Sequence, residues 1–174
     1  MRRAVVAAAL FMASCGGSTP VGPSGTGGPA NPPVFSALPS GPYLLSVSMA
    51  TSGSGGFSTC VSITIGGATP TPVTAPVSAS VHVVHDGSIV IVTPDDPTAT
   101  FRMDLQVSGL ALAGTAAGQY QGSGTTMTVG GGAGSAAATG TFGPSTVSGT
   151  LDGTVTAGGT SCTNNGHTWV LSPQ

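Results

Sequence analysis

The sequence predicts an all-β fold: a single antiparallel meander closed into a barrel, with a β-sandwich as the alternative. Three observations lead there. Apolar and polar residues alternate with a period of two through most of the chain from about Val34 onward. Turn residues break these runs at short intervals, which favours a meander over a Greek key. Helix formers are scarce: the chain has no Glu, and its 29 glycines would weaken any helix, so no long helix is expected after Cys15. Roughly 140 residues are enough to enclose one core.

The strands follow in order. Tyr43, Leu45, Val47 and Met49 alternate with Leu44, Ser46 and Ser48. Val61, Ile63 and Ile65 alternate with Ser62 and Thr64. Val77, Ala79, Val81 and Val83 alternate with Ser78, Ser80 and His82. The clearest half-buried strand sets Phe101, Met103, Leu105 and Val107 against Arg102, Asp104 and Gln106. Weaker strands are expected around Leu110–Thr115, Thr125–Val129, Ala136–Phe142, Val147–Ala157 and His167–Leu171, making about nine or ten in all. Thr51–Gly56, Gly118–Gly124 and Gly130–Ser135 read as hairpin tips.

Two details are sharper. In Val77–Thr93 a hairpin is expected with a three-residue loop, His85-Asp86-Gly87, and Gly87 left-handed. It pairs Val83 with Ile89 and buries Ile89 and Ile91, leaving His82 outside. The competing two-residue loop, Asp86-Gly87, pairs Val83 with Val90 and puts Val81, Val83, Val90 and Val92 on one face. Burial of the larger isoleucines selects the first register. Further on, Val147, Gly149, Leu151, Gly153 and Val155 share a face. Glycine there leaves space for Trp169, Phe142 or Phe101.

The first fifteen residues have a different character. Arg2 and Arg3 precede an apolar run, Ala4–Ala13, of signal-peptide length and too short to span a bilayer; Ser14-Cys15-Gly16 follows. This resembles the lipobox of bacterial lipoprotein signal peptides, although Met12 stands where that family prefers Leu. The resemblance implies a signal peptide over 1–14 and acylation of Cys15. It makes the Gly-, Pro- and Ser-rich flexible linker over 15–33 lipid-anchored, ahead of the β-barrel domain that the period-two patterning predicts over 34–174. Gly16 after the cysteine, rather than Asp, implies sorting to the outer membrane if the source is Gram-negative. The expected partner is thus a membrane, through the N-terminal lipid.

If lipid occupies Cys15, Cys60 and Cys162 remain, and one disulfide is expected between them. It would join an early strand to the loop before the last one. A single His, His167, five residues past Cys162, does not complete a metal site.

Candidate chemistry is thin. Beyond the signal segment the only basic side chain is Arg102, against Asp86, Asp95, Asp96, Asp104 and Asp152. That excludes nucleic acid and electrostatic binding to anionic lipid. Without Glu or Lys there is no glutamate pair for glycoside hydrolysis and no Schiff-base lysine. Asp95-Asp96, between Pro94 and Pro97, reads as a turn. His82, His85, Asp86 and His167 are the candidates for a metal cluster or base–carboxylate relay. However, positions 82 and 85 of one strand face opposite ways, and Asp86-Gly87 is a turn signal. His167 shares parity with Trp169 and Leu171, at the rim of the core. Ser54 lies in a glycine run with no helix after it, so it forms no nucleophile elbow. Gly130-Gly131-Gly132 likewise lacks the helix of a phosphate loop. No cofactor is expected. The function these residues predict is a non-enzymatic binding or structural role at the cell envelope, with an envelope protein as a possible partner. The alternative is a carrier of a small apolar ligand, on an architectural likeness to lipocalins; an envelope hydrolase ranks last. Whether the interior is solid or hollow separates the first two.

Overall fold

A computed structural model describes residues 38–51, 59–62, 73, 75–131 and 134–174. Among them are ten strands and no helix. They are β1 (Gly41–Ser48), β2 (Thr59–Ser62), β3 (Val77–Asp86), β4 (Ile89–Pro94), β5 (Arg102–Ser108), β6 (Ala111–Gly122), β7 (Thr125–Val129), β8 (Ala136–Phe142), β9 (Val147–Ala157) and β10 (Thr160–Pro173). All pairings are antiparallel, in one sheet.

The pairings return on themselves. The path β1–β3–β4–β5–β6–β8–β9–β10 ends with β10 beside β1, a barrel-like ring. Two places in it are shared by short strands lying end to end. β7 and β8 both sit between β6 and β9, one at residues 118–122 of β6 and the other at 111–116. Likewise β1 lines residues 168–173 of β10, while β2 lines 160–163. First and last strands are neighbours, as closure requires.

β5 explains why the ring has an inside. Met103 and Leu105 are fully buried and Arg102 and Gln106 exposed, so its alternation fixes which face is core. Val92 and Val90 lie opposite Met103 and Leu105, which forces these valines inward too. This overturns the expected hairpin register. Val83 pairs with Val92, and Asp86 with Ile89, leaving a two-residue turn of Gly87 and Ser88. Gly87 is left-handed at φ 60°, as expected. Ile89 is 41% exposed; the neighbouring strand outweighs the gain from burying isoleucine. His82 stays exposed, as expected.

Two boundaries also differ. β6 runs through Gly122, so its turn to β7 is only Ser123 and Gly124 rather than the whole of Gly118–Gly124. β10 starts at Thr160, seven residues before the expected strand, with an irregularity between Asn164 and His167. Cys162 therefore lies in a strand, not a loop. Ile63, Ile65 and residues 52–56 fall outside the described residues, whereas Thr125–Val129, Ala136–Phe142 and Val147–Ala157 are strands with those bounds.

The core is filled by large side chains, among them Trp169, Tyr120, Leu45, Met103, Met127 and Leu151. Trp169 takes the space that glycine leaves. It sits opposite Gly149, which sits opposite Gly140 on the next strand. A Cβ on Gly140 would lie 2.6 Å from Cζ2 of the indole, and one on Gly149 would run into the Thr139 carbonyl. The indole Nε1–H donates to the carbonyls of Thr139 at 3.1 Å and Thr150 at 3.2 Å. Phe101 does not join this stack; it meets Tyr120 edge to face, centroids 5.3 Å apart. The Tyr120 hydroxyl donates to the Val77 carbonyl at 3.0 Å, and burial pushes its pKa up.

Candidate functional site

Antiparallel strands divide the connections between two ends of the ring. At the proximal end Leu38–Ser40 lead into β1. The β3–β4 turn, the β5–β6 turn (Gly109, Leu110), the β8–β9 connection and Gln174 lie there too. The Phe142 amide donating to the Leu110 carbonyl ties two of these together. At the distal end are the β4–β5, β6–β7 and β9–β10 connections, while the β7–β8 connection lies midway along β6, between Gly118 and Ala116.

The histidines do not converge. His85 belongs to the proximal end: one ring nitrogen is 2.9 Å from the Leu38 carbonyl and the other 3.0 Å from the Gly87 carbonyl. A neutral ring donates to only one of them. The His85 amide donates to Ser40 Oγ at 2.9 Å, so β3 holds the incoming chain at two points. His82 faces out, on the other side of the strand, between Pro42 and Thr93. Asp86 closes β3 rather than forming the turn.

His167 is wholly buried. Its Nδ1 accepts the Ala50 amide at 2.9 Å, which leaves Nε2–H to donate to the Gly153 carbonyl at 3.2 Å. Burial lowers its pKa, opposed by the carbonyls of Gly153 and Cys162 and by Asp152. Both nitrogens are occupied, so this neutral histidine pins the end of β1 to β9. The rim position expected from parity becomes a core position.

Asp96 accepts from the amide of Thr98 at 2.9 Å and its hydroxyl at 2.8 Å, the expected turn; these bonds lower its pKa. Arg102 and Asp104 pair with each other on the outer face of β5 at 2.8 Å. Among the described residues no three His, Cys, Asp or Glu side chains are placed to hold a metal. Cys60 and Cys162 face each other across β2 and β10 and form the disulfide, Cα atoms 4.0 Å apart. Cys15 and Ser54 lie outside the described residues.

Three hollows lined by the described residues open outward. A cleft of about 120 Å3 lies between the β4–β5 connection and β6, bordered by Asp96, Thr98, Gln119, Gln121 and Thr126. Sequence reasoning missed it, because Gln119 and Gln121 carry no motif. Their amides are engaged with the hydroxyls of Thr128 at 2.9 Å and Thr126 at 2.7 Å. Shallower hollows lie over Thr125–Thr128 beside Gly158 and Gly159, and over the small outer residues of β6, β8 and β9.

No protein-family model, no curated protein and no solved structure matches this chain.

Proposed function

We propose that this protein is a lipid-anchored domain of the bacterial cell envelope with a non-enzymatic binding or structural role. The observation that carries the reading is the N-terminal order of Arg2-Arg3, apolar Ala4–Ala13 and Ser14-Cys15. The Cys60–Cys162 bridge supports it, since disulfides persist in oxidising compartments. So does the use of three candidate catalytic groups for holding the fold: His167 pins β1 to β9, His85 holds the incoming chain, and Asp96 caps a turn. Against the carrier stands the core itself. Ligand pockets of about 300 Å3 or more are the norm for small molecules, and here side chains such as Trp169, Tyr120 and Met103 occupy the inside.

Mass spectrometry of the membrane-extracted protein tests this. It should give an acyl-modified peptide beginning at Cys15, and Cys15→Ser should release the protein from the membrane. An unmodified Cys15 inside a longer peptide refutes the anchor.

A further inference from the structure

We infer that the proximal end of the ring docks on the lipid bilayer through Val84, Ile89 and Leu110. This rests on the lipid anchor proposed above. Among the described residues five large apolar side chains are exposed: Leu44, Val61, Val84, Ile89 and Leu110. Three of them belong to the proximal tips of two hairpins that β4–β5 pairing makes adjacent. Ile89 follows the β3–β4 turn at 41% exposure, Val84 nears the end of β3 at 42%, and Leu110 lies in the β5–β6 turn at 47%. Ile91, opposite Val84, continues the patch. Two acids border the patch: Asp86 lies opposite Ile89, and Asp104, opposite Ile91, is neutralised by Arg102. Asp95 and Asp96 follow β4 at the distal end.

The occupant follows from where the chain comes in. Leu38 is buried at this same end, its carbonyl beside His85. Residues 16–37 separate it from Cys15. A Gly-rich chain of that length has a root-mean-square span of about 25 Å. An anchor at Cys15 therefore keeps the bilayer at high effective concentration, so weak apolar docking is populated without strong intrinsic affinity. With no basic side chain in the patch, the contact is apolar and indifferent to anionic lipid.

Cys15 is the one thiol outside the disulfide, so in protein produced without acylation it can be coupled to a maleimide-headgroup lipid in phosphatidylcholine vesicles. Hydrogen exchange at the β3–β4 and β5–β6 turns should slow about fivefold or more against the uncoupled chain, and the β6–β7 and β9–β10 turns should not change. Replacing a third of the lipid by phosphatidylglycerol should leave this intact. Ile89→Ser with Leu110→Ser should abolish it while keeping the unfolding midpoint. Unchanged exchange in the coupled protein overturns the docking surface. So does vesicle-free protection that grows with protein concentration, which assigns the patch to a second copy. Neither result bears on natural acylation, which the mass of the extracted protein decides separately.

Discussion

At position 169 an indole lies across two strands that offer it no side chain. Gly149 was legible as space to be filled because glycine recurred at alternate positions of Val147–Val155; Gly140, on β8, was not. Pairing chose Trp169, which sits opposite Gly149. Restoring a methyl group here has no room: Gly149→Ala would press on the Thr139 carbonyl and Gly140→Ala on the ring. Each should lower stability by about 1–3 kcal/mol or more, seen as an earlier urea midpoint with unchanged slope. His167 yields a pH dependence. Burial lowers its pKa, so the unfolded chain takes up the proton first as pH falls. Its contribution is whole above about pH 6.5 and is lost as pH drops from there through the lower folded value. Protonation also ends acceptance of the Ala50 amide. Urea midpoints between pH 7.5 and 5 should fall less steeply for His167→Gln than for the native chain; equal slopes would rule out this histidine as the cause. Parity with Trp169 and Leu171 placed it on the inward face, but its full burial was not legible, because the irregularity between Asn164 and His167 hides that β10 continues back to Thr160.

Elements show where strand-by-strand reading stops. Alternation gave β5, β7, β8 and β9 nearly residue for residue, since each has one dry and one wet face. The β3–β4 hairpin carries bulky apolar residues on both faces, so its own sequence does not choose. Its register comes from β5, whose Met103 and Leu105 demand Val92 and Val90 as inward neighbours. Cross-strand nuclear Overhauser effects should link Val83 to Val92 and not to Ile89 or Val90. The disulfide was legible from cysteine parity, but β10's early start was not: Thr160–Asn164 is polar and reads as loop. Its pairing with β2 is four residues long, and the bridge closes a loop of 102 residues. Cys60→Ser with Cys162→Ser should cost about 4–5 kcal/mol in the chain-entropy picture. Thermal unfolding of that variant beside the oxidised protein measures it, and a loss below about 1 kcal/mol would mean that the unfolded chain is already restrained there.

For the whole molecule, short connections and cysteines near both ends of the domain predicted that the last strand returns to the first, and β10 lies beside β1 in a partial ring. Function was far less legible. A chain with so few charged residues writes little chemistry on its surface, and His167, His85 and Asp96 are bound up in turns and strand contacts. The interior therefore carries the remaining choice between a solid domain and a carrier. Leu105, buried to 0% exposure, packs at the centre of β5 opposite Val90 and Gly114. If side chains fill the ring, a small apolar solute such as benzene finds no volume, and the native melting temperature should not rise in its presence. Leu105→Ala should lower stability by about 2–5 kcal/mol and leave an apolar void. Voids of that kind stay dry and accept benzene, so the solute should recover part of the variant's lost stability. Stabilisation of the native protein by benzene would instead reveal a hollow core and return the carrier reading to first place. The contrast between native and variant, not either result alone, is what separates a filled interior from one that merely excludes this probe.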